Sequence, residues 1–182
     1  MSEERPQLSI VIPLYNEEES LPTLFEELYG ALQAVGRPFE IICVDDGSTD
    51  RSFEILKARH DADPARVRLI RFRRNFGKTA ALSLAFKRAR GDVVVTMDAD
   101  LQDDPHELPT LLARLDEGYD LVSAWRERRR DPASKTWPSR VFNGMVAALT
   151  GVKLHDVNVG FKAYRAQVVR ELKLYGDLHR YI

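Results

Sequence analysis

Asp98-Ala99-Asp100 follows directly on the apolar run Val93, Val94, Val95, Thr96 and Met97. Side chains of an extended chain alternate faces, so residues two apart point the same way. Two carboxylates therefore converge where a buried strand ends, the place at which open α/β sheets hold their ligands. Oxygen donors paired in this way suit a hard divalent cation, Mg²⁺ or Mn²⁺, which in turn holds a diphosphate. The competing role for both acids, capping the next helix, is already filled by Asp103 and Asp104 ahead of Pro105. A second acidic segment, Asp45-Asp46-Gly47-Ser48, closes another apolar run. In a parallel sheet both segments share one rim, where carboxylates accept hydrogen bonds from a base N–H or a ribose hydroxyl. Asp-Gly-Ser also makes ordinary turns. The presence of two acidic rims in one chain favours a nucleotide pocket.

Gly77-Lys78-Thr79 invites comparison with a phosphate-binding loop, but Phe72 stands where that motif needs its first glycine. No Gly-x-Gly-x-x-Gly fingerprint occurs either. Lys78 stays among the nucleotide-binding candidates with two roles open: approach to a phosphate or an acid, or a solvated helix start.

The elements that must position these residues alternate between strand and helix patterns. Residues 8–12 read as a strand closed by Pro13. Ser20 then caps a helix whose apolar face is Leu21, Leu24, Phe25, Leu28, Leu32 and Val35, ended by Gly36. Residues 39–44 form a second strand, nearly all apolar, as expected of one covered on both faces. A helix at 52–60, a strand at 67–72 and an Ala-rich helix at 77–89 follow. Gly91 opens the fourth strand, residues 105–115 are helical, and 120–124 form a fifth strand. Residues 126–137, polar and basic, read as a loop. Beyond them 141–149 reads as helix, 159–164 as extended and 166–174 as helix. This rhythm predicts an α/β fold: a mostly parallel sheet with helices on both faces.

Composition bounds the class. At 182 residues the chain forms a single domain with a sizeable core, and its 44% hydrophobic and 30% charged residues are those of a globular protein. A net charge of −1 gives no global attraction to nucleic acid, although Arg126, Arg128, Arg129 and Arg130 form one basic cluster and Arg71, Arg73 and Arg74 another. The single Cys43 lies in an apolar run, which predicts an inert thiol in a reducing compartment. With a polar start and no apolar stretch of spanning length, the chain reads as soluble and cytoplasmic.

Pro13-Leu14-Tyr15-Asn16-Glu17, Val44-Asp45-Asp46-Gly47-Ser48, Asp98-Ala99-Asp100-Leu101-Gln102 and Asp156 through Gly160-Phe161-Lys162 together resemble family 2 glycosyltransferases of the GT-A fold. More narrowly they resemble the polyprenyl-phosphate branch, which includes dolichol-phosphate mannosyltransferases and bacterial undecaprenyl-phosphate sugar transferases. Residues 151–156 and 174–182 are similar to the bacterial members. The resemblance implies that Pro13, Tyr15 and Glu17 line the nucleotide base, with Val44 and Asp46 holding base and ribose. Asp98 and Asp100 would bind Mg²⁺ or Mn²⁺ bridging the diphosphate of a UDP- or GDP-sugar, with Ala99 in backbone contact and Gln102 completing the metal environment. Arg126 would meet a phosphate, and Asp156 stands where inverting relatives place an acid near the acceptor. Asp156 also reads as a loop acid balancing Lys153 or Lys162, and His155 as a surface or packing residue rather than a base.

The implied activity is transfer of a sugar to a polyprenyl phosphate at the cytoplasmic face of the membrane. Members of that branch continue into membrane-associated segments, so residues 1–182 read as the catalytic part of a longer protein whose further part meets the membrane. The sequence leaves open whether it forms a homo-oligomer. Transfer to a saccharide or protein hydroxyl is the alternative within the fold, and a non-catalytic nucleotide-sugar binding module the alternative outside enzymes. A nucleotidyltransferase is disfavoured, because Tyr15-Asn16-Glu17-Glu18-Glu19 is acidic where that class carries a basic glycine-rich loop.

Overall fold

The computed structural model describes residues 5–124 and 160–172. Along them run β1 (Leu8–Leu14), α1 (Leu21–Val35), β2 (Phe39–Asp45), α2 (Ser52–Ala62), β3 (Val67–Arg71) and α3 (Lys78–Arg88). Then come β4 (Val93–Thr96), a 3₁₀ turn (Pro105–Glu107), α4 (Leu108–Asp116), β5 (Leu121–Ser123), β6 (Lys162–Arg165) and α5 (Ala166–Glu171). The expected loop at 126–137 and helix at 141–149 lie outside the described residues.

The strands form one six-stranded sheet in the order β3-β2-β1-β4-β6-β5. β1 to β4 are parallel neighbours, whereas β6 runs antiparallel to both β4 and β5. The alternation of side chains divides the core in two. Leu8, Ile10, Ile12, Ile41, Cys43 and Val95 face α1, α2 and α4, while Val11, Ile42, Val44, Val94 and Tyr164 face α3 and α5. Burial pushes the Cys43 thiol up to about 12, so it is inert as expected.

Local chemistry sets the element ends. Leu21, Leu24, Phe25, Leu28 and Leu32 are buried, and α1 closes at Gly36 with a left-handed φ of 68°. Ser20 does not act as the expected cap: its hydroxyl donates to the backbone oxygen of Glu17 at 3.1 Å and to Glu17 Oε2 at 2.8 Å. The expected helix at 105–115 begins instead as a 3₁₀ turn. Pro109 has no N–H for the Pro105 carbonyl, which Leu108 takes one residue early. Asp104 does cap this turn, accepting from His106 N at 2.9 Å.

β2 carries one exception to its apolar character. Glu40 is fully buried at the amino rim of the sheet, beside Ser9 of β1. Its Oε1 accepts from Ser9 Oγ and Arg90 N, each at 2.7 Å, and its Oε2 from Arg68 at 2.9 Å and Arg90 Nε at 3.0 Å. Burial alone would raise its pKa, but these hydrogen bonds outweigh it and hold the carboxyl below the usual glutamate range. A depressed folded pKa contributes stability that is present above the unfolded value and is lost as pH falls through the folded one. Glu40→Gln should therefore cost about 1–3 kcal/mol at pH 7, by urea denaturation, since it removes the charge that two partly solvated guanidinium groups face. The gap to the parent protein should narrow as the pH drops below the ordinary value of 4.5.

Candidate active site

β1 leaves the β4 ladder before it ends. The two strands pair only from Leu8↔Val93 to Val11↔Thr96, while β1 continues to Leu14 against β2. Pro13, expected to close the strand, instead lies within it, paired with Val44. Val11 O accepts from Met97 N on the β4 side and Leu14 O from Asp46 N on the β2 side. By alternation the missing N–H of Pro13 faces the side where the ladder has already stopped, so no hydrogen bond is lost. Strand order also reverses between β1 and β4, the position at which open α/β sheets bind ligands. A cleft of about 300 Å³ opens there, lined by Pro13, Tyr15, Glu17, Asp46, Asn75, Gly77, Lys78, Asp98, Ala99 and Asp100 among others.

On the β4 side, Asp98 is held from three directions. Its backbone N–H donates to Asp103 Oδ2 at 3.1 Å, its Oδ1 accepts from Lys78 Nζ, and its carboxyl lies against the Cα of Gly160. Any Cβ at residue 160 would occupy the space of that carboxyl group. Thr96 Oγ1 donates to Gly160 O at 2.6 Å and fixes this approach. Because β6 is antiparallel to β4, the start of β6 arrives at the rim where β4 ends. Asp100 is exposed on the loop, and its Oδ1 accepts from Gln102 N at 3.1 Å.

On the β2 side, buried Asp46 accepts from Phe76 N at 2.7 Å and from Gly77 N at 2.8 Å, one bond on each oxygen. Gly47, at φ 76°, packs so closely that a Cβ would come within 2.5 Å of the Arg74 backbone. The turn after β2 thereby grips the segment that leads into α3. It also grips the loop after β1: Asn16 N donates to Ser48 Oγ at 2.9 Å, Glu17 N to Ser52 Oγ at 2.8 Å, and Thr49 N to Asn16 Oδ1 at 2.8 Å. Asp45 is fully buried, accepts from Ser48 N at 2.8 Å through Oδ1, and faces Arg71 Nε at 3.3 Å through Oδ2.

Pro13, Tyr15, Glu17, Asp46, Lys78, Asp98, Ala99 and Asp100, all expected at a site, line this one cleft. Val44 does not: it is fully buried among Val11, Ile42 and Ala81, so its side chain packs the core. Gln102 stands on the exposed loop after Asp100 and is not part of the lining. Arg126 and Asp156 lie outside the described residues. Sequence reasoning missed Asn75 as a lining residue, the buried Asp103 beneath Asp98, and Gly160 as its packing partner. Asp103 had been read only as a helix cap. Proximity to Asp98 in sequence was the signal available for it; Gly160 belongs to one of the segments that carry the resemblance, but nothing in the sequence pointed to its packing against Asp98.

Among the described residues, the charged ones lining the cleft are Glu17, Asp46, Asp98, Asp100 and Lys78. Such an excess of carboxylates repels a diphosphate unless a cation comes with it. Among the described residues no three His, Cys, Asp or Glu side chains gather to cage a metal ion. Two carboxylates with oxygen donors only fit Mg²⁺ or Mn²⁺, which take one or two carboxylates and complete their shell with phosphate oxygens and water.

The chain matches the model of the family described as glycosyl transferase family 2 over residues 9–173. It is 46% identical over 165 residues to an undecaprenyl-phosphate 4-deoxy-4-formamido-L-arabinose transferase of Pseudomonas paraeruginosa, covering 91% of this chain and 49% of that protein. A dodecaprenyl-phosphate galacturonate synthase of Rhizobium johnstonii is 38% identical over 178 residues, covering 97% of this chain and 53% of its own length. The chain thus spans about half the length of the curated relatives it matches. In fold it is similar to glucosyl-3-phosphoglycerate synthase from Mycobacterium tuberculosis, crystallised with Mn²⁺ and UDP-glucose, at a TM-score of 0.70 and 23% identity, over 93% of this chain and 59% of that one. A mannosyltransferase from Pyrobaculum calidifontis, in complex with GDP-mannose and Mn²⁺, gives a TM-score of 0.63 at 21% identity, over 95% of this chain and 48% of that one. The switch-point cleft with its two acidic strand ends is thus set in a GT-A fold, and the chain belongs to glycosyl transferase family 2.

Proposed function

We propose that this chain is the catalytic part of an inverting glycosyltransferase that moves a sugar from a UDP- or GDP-sugar to a polyprenyl phosphate at the cytoplasmic face of the membrane. The observation that carries the reading is the pairing of Asp98 and Asp100 across the switch-point cleft from Asp46 and the start of α3. Relatives named for undecaprenyl and dodecaprenyl phosphate supply the acceptor class.

In this reading the nucleoside end of the donor would lie along Tyr15, Glu17 and Asp46, and Asp98 and Asp100 would hold Mg²⁺ or Mn²⁺. When bound, that ion neutralises the charge building on the departing nucleoside diphosphate. An acceptor phosphate oxygen forms the new bond to the anomeric carbon as the bond to the donor diphosphate breaks. A phosphate acceptor is already anionic near neutral pH, so no proton need be removed from it. Arg126 would meet a phosphate, and Asp156 would position sugar or acceptor.

Calorimetry tests the cation site: Asp98→Asn and Asp100→Asn should each abolish Mn²⁺-dependent binding of UDP or GDP. Circular dichroism should stay unchanged, because both acids stand at a strand end. Unaltered binding in both variants would overturn the cation assignment. Asp46→Ala should weaken nucleoside diphosphate binding by about 1–3 kcal/mol. It should also lower the melting temperature, since two buried backbone N–H groups lose their acceptor. Unchanged nucleoside affinity would move the base pocket elsewhere. In the full-length protein, Asp156→Asn should slow transfer to polyprenyl phosphate without eliminating it. A hydroxyl acceptor would instead lose about 10²–10⁴-fold for want of a base. Transfer to soluble sugars with none to the lipid would replace this reading with the hydroxyl one.

A further inference from the structure

We propose that the Lys78 ammonium is a built-in counter-ion of Asp98, which the divalent cation displaces more readily once a diphosphate arrives to receive it. Cation and diphosphate then bind as a coupled pair rather than separately. The inference rests on the cation reading of Asp98 and deepens it.

The geometry points to an exchange because one partner is fixed and the other is hinged. Asp98 cannot turn aside: its carboxyl is packed against Gly160, whose carbonyl is tied to Thr96, and its backbone N–H is tied to Asp103. Lys78 is the first residue of α3, and the two residues before it are anchored by the bonds that Phe76 N and Gly77 N donate to Asp46. Beyond that anchor runs a four-carbon stem ending in the ammonium on Asp98 Oδ1. The pair is partly shielded, with 35% of the Lys78 side chain and 24% of the Asp98 side chain exposed. Its attraction therefore exceeds that of a surface pair, while solvent still reaches both groups.

A divalent ion at Asp98 and an ammonium on the same carboxylate repel each other. The ion entering alone must therefore drive the Lys78 ammonium off Asp98. Among the described residues the other charged groups lining the cleft are carboxylates that already accept hydrogen bonds: Glu17 Oε2 from Ser20, Asp100 Oδ1 from Gln102 N, and both Asp46 oxygens from backbone N–H groups of the segment entering α3. A diphosphate brings the missing anion to the cleft, so its presence lowers the cost of moving Lys78. By linkage each ligand then tightens the other by the same factor. Asp46, on the nucleoside side, becomes a positioning residue for this exchange, since it sets where the stem of Lys78 begins.

Binding of Mn²⁺ alone to the 182-residue chain, followed by the electron paramagnetic resonance signal of free Mn²⁺, provides the test. Lys78→Met should bind Mn²⁺ without nucleotide about five- to tenfold tighter than the parent chain. The gain in Mn²⁺ affinity produced by adding UDP or GDP should shrink in the same variant. Lys78→Arg, which keeps the charge on a stem of similar reach, should behave like the parent. A merely structural lysine would give no gain in Mn²⁺ affinity on removal. Unchanged or weaker Mn²⁺ binding by Lys78→Met would overturn the exchange. Asp98→Asn separates the two levels of the argument. If it loses Mn²⁺ while Lys78→Met gains nothing, the exchange alone falls. If it binds Mn²⁺ as the parent does, the cation reading falls and takes the exchange with it.

Discussion

The site depends on the early parting of β1 from β4. Hydrogen bonding between them stops at Val11 and Thr96, yet β1 remains bonded to β2 as far as Leu14 and Asp45. The two strands therefore diverge at their carboxyl ends, and the space between them becomes the cleft. Pro13 is accommodated at this place because its nitrogen faces the side where pairing has ended. The same divergence leaves Asp98 and Asp100, which follow β4, and Asp46, which follows β2, lining one cleft. A ladder continued to the strand ends would have filled that cleft with backbone.

Around the cleft, acidic residues serve two purposes that composition does not distinguish. Asp45, Asp50, Asp103 and Asp104 accept backbone N–H groups and fasten loops. Asp98 and Asp100 present carboxylate oxygens to the cleft. Asp46 does both, lining the cleft while holding the entry to α3. The loops after β1 and β2 are joined by Asn16, Ser48, Thr49 and Ser52, so the nucleoside side of the cleft is shaped before any ligand arrives. Such preorganisation reduces the ordering cost that binding would otherwise carry.

Close backbone approach accounts for the position of Asp98. Gly160 has no Cβ, and the carboxyl group occupies the space one would need. Gly47 plays the corresponding part on the other side, where the backbone of Arg74 and Asn75 crosses it. Each glycine brings together segments distant in the chain, Gly160 with β4 and Gly47 with the entry to α3. Ser9, Glu40, Arg68 and Arg90 hold the opposite rim of the sheet with a buried carboxylate. The pairing of β1 and β2 is thereby secured at the end remote from the cleft.

Much of this was readable in the residues themselves. Apolar periodicity located α1, the near-continuous apolar runs located the central strands, and the alternation of elements implied a mostly parallel sheet. The acids at the ends of β2 and β4 marked the rim, because a parallel sheet sends all strand ends one way. What the sequence could not specify were relations between segments far apart in the chain. Val44 lies two residues before Asp46 on the same face of the strand, but one step further into the sheet, where Val11, Ile42 and Ala81 enclose it. The antiparallel entry of β6 beside β4 breaks the βα rhythm, and only that entry brings Gly160 to Asp98. Lys78 had two roles open from sequence, and the partner it takes, Asp98, depends on where α3 begins in space. Local propensity and periodicity act within a few residues. Strand order and the approach of one backbone to another are settled when all segments compete for the same core, so tertiary structure alone decided which acids face the cleft and which cation faces them.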